Sequence, residues 1–451
     1  MRAHLAAAAR ASPSAFTEIR FQQRLGTDIL QRGSETVFAT WPAAAGGVLR
    51  CYNPGHGWGV ASFRTLDELP GALRNANEAS LALRVPAALP LPPVPARELD
   101  VECPAGRDPS GIPHASKLEL AATVARTLRG PDRRVASTRV RYRDALLETI
   151  VVTSEGLSLR EVRPEFSLAA LAVAEEGGTV ERATGSIASA GQWSELEAWS
   201  RSAYLIGERA VLQLHAPPVR AGRYPVVLGP AAAGVLAHRA VGHLCEADAG
   251  GAGPLPVGSR MGGESVTIGD DGTAHGRRGT VAFDHEGMSP VPTILVQHGV
   301  VVGHVHTRMS AARAGTGPTG SARGGSGEPP RARLSNTYVA SGRGDLTDLL
   351  SDIELGVYLA DPVGASLDDS RAGLRAGQAR MIRKGELAEP VKGVTLDADP
   401  LALLGLVDRV AADFAWSTSA SSCDRAGAGR LPVGTGAPHV RLIEASIGGS
   451  A

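Results

Sequence analysis

The stretch that decides the fold reads Tyr224-Pro-Val-Val-Leu-Gly-Pro-Ala-Ala-Ala-Gly-Val-Leu-Ala-His-Arg-Ala-Val-Gly-His-Leu-Cys-Glu-Ala-Asp248. Its first seven residues form a short β-branched run stopped by Gly-Pro, and Ala231 to Asp248 predicts a helix. From there to the C-terminus, short apolar runs such as Pro292 to Gln297, Val300 to Val305 and Val440 to Ile443 alternate with Gly-rich turns. This pattern predicts an antiparallel-sheet-rich domain over 222–451 that carries the helix. Upstream, residues 1–221 mix both periods. Strand-like alternation marks Phe16 to Phe21, Glu35 to Thr40 and Gly47 to Tyr52, and β-branched runs return between Val135 and Val180. Helical spacing marks 66–84, 115–129 with Ser116 as a cap, and Glu195 to Leu214, while a proline-rich connection spans 85–113. The fold class is therefore α+β: an αβ N-terminal domain followed by a sheet-rich C-terminal one.

Bulk composition narrows the function. The 451 residues carry 46 Lys+Arg against 46 Asp+Glu, so the chain lacks the basic excess that non-specific nucleic-acid binding needs. Only Lys117, Lys384 and Lys392 are lysines; together with abundant Ala, Gly and Pro, this reads as the codon bias of a high-GC genome. No apolar run is long enough to predict a membrane span, and the N-terminal apolar patch is short for a secretory signal. Cys51, Cys103, Cys245 and Cys423 are too scattered for a disulfide framework, which points to a reduced cytoplasmic setting.

His238 and His243 share the decisive helix at a spacing of i, i+5. Helical zinc sites usually use i, i+4. At i, i+5 two rings on a regular helix diverge by about 140°. A local widening at Gly242 would bring them together, as single-turn π-bulges do. On spacing alone, two core histidines with satisfied hydrogen bonds are the plainer account. Cys423 lies in a polar, Gly-rich stretch, Ser421 to Pro438, where a thiolate is a candidate third ligand; a His₂Cys set with one open position is a catalytic type of zinc coordination. Cys245 is expected to pack in the core.

These residues carry a resemblance. The run from His238 to Asp248 resembles the HExxxH helix of the TldD/PmbA family, and Cys423 followed by Pro432-Val-Gly-Thr-Gly-Ala-Pro438 resembles the C-terminal cysteine and PVGxGxP segment of its TldD-type members. Between them Asp270-Asp-Gly272, Gly279, Asp284-His-Glu-Gly287, Pro318-Thr-Gly320, Pro330-Arg-Ala-Arg-Leu-Ser-Asn-Thr337 and Lys392-Gly-Val-Thr-Leu396 recur in order. Gly57-Trp-Gly-Val-Ala-Ser62 and Ser154-Glu-Gly156 extend the likeness, more loosely, into the N-terminal half. The resemblance implies a zinc-dependent peptidase whose metal is held by His238, His243 and Cys423. It also implies a dimer, with a PmbA/TldE-like subunit or with itself, that encloses the site and takes small unfolded peptides or peptide-like metabolites as extended chains. Such members trim leader peptides of modified-peptide antibiotics or degrade small unstructured proteins, and a high-GC composition suits a producer of natural products.

One position departs from the family. Where active members have the motif glutamate, which acts as general base and acid, this chain has Arg239, whose guanidinium stays protonated. Three readings follow: a hydrolase in which another acid is the base, a metal-binding but peptidase-inactive partner or regulatory subunit, or an enzyme acting on an unusual amide with Arg239 gripping an acidic group. Glu246, three residues after His243, is a candidate base or a partner that orients a ligand imidazole; Glu286 and His285 are further candidates. Arg331 and Arg333 are candidate substrate-binding residues or an ion-paired loop. The run 314–330 reads as a mobile loop over the site or as plain surface, His304 and His306 as two same-side strand residues, and Asp270-Asp-Gly272 as a hairpin turn.

Overall fold

A computed structural model describes the chain apart from residues 42, 83, 85–90, 104–107, 131, 249–253, 368–371, 425–429 and 450–451. Parts of the expected proline-rich connection lie outside the described residues. An eight-stranded sheet contains every described strand before residue 190. Its spine is three long antiparallel strands, Phe16–Arg32, Val135–Thr153 and Ser158–Glu176. Along Phe16–Arg32, Ile19, Phe21 and Ile29 point to one face, where helices cover them: Arg2–Arg10 and Leu69–Leu81 over one half, His114–Arg129, Trp193–Ser202 and Tyr204–His215 over the other. Even-numbered Glu18, Arg20, Arg24 and Asp28 point to the opposite face, towards the C-terminal half.

That half is built on two larger sheets. One joins Leu355–Leu367, Gly222–Leu228, Val440–Gly449, Val394–Ala398, Ala372–Arg383 and Glu386–Val391, with Val407–Val410 paired to Val440–Gly449; pairing of Leu355–Leu367 with Ala372–Arg383 closes five of these strands into a ring. The other orders Val300–Val301, Thr293–Gln297, Ile268–Asp270, Asn336–Val339, Gly434–Ala437 and Ala415–Trp416. Helix Pro230–Ala240 packs between them, with Gly229 as N-cap and Pro230 in the first turn, where its missing N–H costs nothing. Cys245 is fully buried in this core. Among the described residues no helix is long and apolar enough to cross a membrane.

The architecture is the expected α+β one, with several local corrections. The helix expected over 231–248 ends at Ala240: Val241 leaves helical geometry (φ −121°, ψ −49°) and Gly242–Cys245 forms a tighter 3₁₀ turn. Ser116 lies inside the helix that starts at His114 and does not cap it. The helix expected over Glu195 to Leu214 is two helices meeting at Ala203. Asp270-Asp-Gly272 is not a hairpin turn. Ile268–Asp270 pairs with Thr293–Gln297 and Asn336–Val339, so the chain leaves the sheet before returning. The run 314–330 is not a loose surface loop, since Thr319 to Gly324 is buried and Ala322–Arg323 pairs with Arg331–Ala332. His304 and His306 fall beyond the end of strand Val300–Val301; their rings are 5.9 Å apart, but one is tied to Leu255 O and the other to Ser310 Oγ.

Candidate metal centre

His238 sits in the last turn of helix Pro230–Ala240 and His243 in the 3₁₀ turn behind it. Ending the helix between them removes the divergence that i, i+5 would impose, and the ring centroids lie 4.7 Å apart at 69°. Leu334 packs over Gly242, where an added Cβ would meet Leu334 Cδ1 at 2.6 Å. Cys423 arrives from strand Ser422–Cys423, paired with Leu431–Pro432, and its Sγ is 3.2 Å from His243 Nε2. All three side chains are buried, and one ligand atom from each lies within 4.8 Å of the others. His238 Nε2 is buried without a hydrogen-bond partner. An orphaned imidazole nitrogen facing a second imidazole and a thiol is costly as a plain core. It matches a His₂Cys zinc donor set with one position left open, so these residues fit the metal.

The candidate ligands are held from behind. His238 Nδ1 is 2.8 Å from Thr337 Oγ1, which in turn donates to Asp270 Oδ1 at 3.1 Å. Asp270 also accepts twice from the Ser335 amide, and burial pushes its carboxyl up to about 7. His243 Nδ1 is 3.0 Å from Glu246 Oε1, which faces the Leu334 amide and Arg333 Nε as well. Arg333 donates to Cys423 Sγ at 3.3 Å, bridging Glu246 and the sulfur. Arg323 donates to Leu334 O and Pro432 O, tying together the two segments that bring Arg333 and Cys423. Burial, reinforced by the charges of His243, Arg239, Arg333 and Arg323, holds His238 well below its ordinary range and therefore neutral, the form that binds a metal. Burial pushes the Cys423 thiol up, opposed by Arg333 and Arg239.

The structure thus gathers His238, His243, Cys423, Glu246 and Arg333 into one cluster. Arg239 is half-buried and, with His238, lines a cavity of about 1340 Å³ between the two halves of the chain. Arg331 is exposed, and among the described residues none of its contacts reaches the cluster. His285 and Glu286 lie elsewhere: Glu286 bonds Arg50 and the Arg308 amide, and His285 accepts from the Gly324 amide. Sequence reasoning missed Asp270, Thr337 and Arg323. The signal for Asp270 and Thr337 was present in the Asp270-Asp-Gly272 and Leu334-Ser-Asn-Thr337 segments, but strand pairing and not spacing brings them together behind His238, and Arg323 lies in neither segment.

Comparison with known proteins bears on this geometry. Residues 221–449 match the PmbA/TldA metallopeptidase C-terminal domain and residues 107–215 its central domain. A metalloprotease of Synechocystis sp. is 33% identical over 98% of this chain and 96% of its own length. A protein of Saccharolobus solfataricus named zinc metalloprotease TldD homolog is 27% identical over 70% of this chain and 72% of its own. The crystal structure of TldE from Thermococcus kodakarensis superposes with a TM-score of 0.75 over 97% of both chains at 17% identity, a likeness of fold.

Proposed function

Because the chain belongs to the PmbA/TldD family of metallopeptidases, we propose that it hydrolyses an amide bond in a small unfolded peptide or peptide-like metabolite, at a zinc ion held by His238, His243 and Cys423. The observation that carries this reading is the buried, partnerless Nε2 of His238 facing His243 and Cys423. Zinc in such a set supplies Lewis-acid polarisation of a carbonyl. The chain's own residues do the rest. Glu246 and the Thr337–Asp270 pair fix the two imidazoles, and Arg333 steadies the sulfur. Arg239 cannot take a proton. Its fixed cation beside His238 in the cavity suits negative charge developing on the scissile carbonyl oxygen, or an acidic group of the substrate. Family membership and the TldE-like fold support work in a dimer with a PmbA/TldE-like subunit or a second copy. A thiolate ligand suits a reducing, cytoplasmic setting.

The test is metal content and turnover together. Purified protein is expected to hold about one zinc per chain and His238→Ala to lose it; equal zinc in both would sink the ligand assignment. Arg239→Glu separates the readings. A gain in hydrolysis of unstructured peptides identifies a chain disabled at this position, whereas a loss on the native substrate identifies chemistry that uses the arginine.

A further inference from the structure

We propose that a second cavity, next to the cluster and lined by arginines, binds a carboxylate of the substrate, an inference that rests on the peptide-hydrolase reading. The cavity, about 580 Å³, lies between the polar face of the N-terminal sheet and the segment leading into Cys423, and seven arginines line it against four carboxylates. The alternation of the long strands aims Arg24, Arg141, Arg143 and Arg163 at it. Glu165 is shared by Arg24 at 3.0 Å and Arg163 at 3.2 Å, and Asp28 by Arg141 and Arg143. Of the other two acids, Asp144 is neutralised by Lys117, and Glu161 accepts the Ala282 amide. Among the described residues Arg278 lacks a direct carboxylate partner, although the charge of Glu165 acts on it from nearby. The Arg278 guanidinium donates to Ser421 O. Burial, reinforced by the charges of Arg163, Arg24 and Arg143 and opposed by Glu165, holds Arg278 below its ordinary range. A half-buried cation in a cavity whose lining holds more arginines than carboxylates is a site prepared for an anion, and a guanidinium fork matches a carboxylate best.

The cavity is not isolated. Arg141, Ala169, Ala420 and Ser422 line both it and the larger cavity that holds His238 and Arg239, so the two are neighbouring lobes. Ser422 directly precedes Cys423. An extended peptide lying across the ligands in the larger lobe can therefore seat a carboxylate in the arginine lobe. That carboxylate is either the peptide's C-terminus or an acidic side chain.

Calorimetric titration of the full-length chain, zinc-loaded and metal-free, with three N-acetylated pentapeptides tests this: an alanine peptide as free acid, the same peptide as C-terminal amide, and an amide carrying one glutamate. At least one of the two carboxylate-bearing peptides, the free acid or the glutamate amide, is expected to bind wild type at least about tenfold more tightly than the neutral amide, the size of one charge-assisted pair. Arg278→Gln should abolish that preference without changing binding of the neutral amide, and Arg278→Lys should keep part of it. Arg24→Gln, a change at a side chain 45% exposed, gives a parallel reading with little risk to folding. If the glutamate amide binds tightly and the free acid does not, the source is a side chain; the reverse identifies the C-terminus. Equal binding of all three peptides, no binding at millimolar concentration, or a preference that survives both glutamine variants overturns the site. Hydrolysis is scored separately: tight acid-selective binding without cleavage leaves the site standing and removes the peptidase reading, and cleavage without acid selectivity does the opposite.

Discussion

His243 offers Nε2 to the cluster because Glu246 takes its Nδ1, and that contact sets two different expectations for the glutamate. As a positioning residue, Glu246→Ala should weaken zinc binding about 10- to 100-fold, and hydrolysis should recover once zinc is saturating. A rate still down by about 10² or more at full occupancy would instead make Glu246 the base; zinc titration paired with kcat at saturating metal decides between them. His238 makes a pH prediction for the metal-free protein. Its folded pKa lies well below the ordinary value of about 6.5, so the unfolded chain binds the extra proton as pH falls. The stability from a neutral His238 is present above pH 6.5 and is lost progressively below it. Between pH 7.5 and 5.5 the loss amounts to as much as about 1.4 kcal/mol. In urea titrations His238→Gln should lose that much less stability than wild type over the same interval. At this scale the sequence named the three candidate ligands through its resemblance to the family's motifs. It did not show what stands behind them, because Asp270 and Thr337 reach His238 only through strand pairing.

The helix Pro230–Ala240 must lie close against strand Gly434–Ala437 for His238 to meet Cys423, and Gly234 permits it. A Cβ there would stand 3.1 Å from Gly436 N and 3.2 Å from Thr435 Cβ, with little room to give because the neighbour is backbone. Gly234→Val is therefore expected to lower stability by about 1–3 kcal/mol and to reduce zinc content, read by urea midpoint and metal analysis. Full zinc occupancy in a destabilised variant would show that the helix position does not set the site. Strand alternation and the Gly-Pro start of this helix were legible, because both are local. Its end was not. Apolar residues continue in helical spacing past Ala240, but the chain turns more tightly where Leu334 packs over Gly242, and no local signal records that approach.

Across the whole molecule the two halves are clasped by buried charge. Arg50 pairs with Glu18 of its own sheet and with Glu286 of the C-terminal half, while Arg20 donates to the carbonyls of Gly325 and Glu328. Arg50→Met would leave two carboxylates buried without that cation, so a loss of about 3–5 kcal/mol is expected in denaturant titrations; a change below about 1 kcal/mol would mean that the clasp is not holding the halves. Residues of the same polar sheet face, among them Arg141 and Ala169, line both cavities. Periodicity by itself determined the α+β class, and the family resemblance, carried by the order of short segments, singled out His238, His243 and Cys423 as candidate ligands and Arg239 as the exchanged position. Only the tertiary structure decided that the i, i+5 histidines converge, that Arg333 and not Arg331 touches the sulfur, and that an N-terminal sheet without a His, Cys or acid cluster supplies one wall of the cavities. Each of these depends on which faces of distant segments are pressed together, and spacing along one chain carries no record of that.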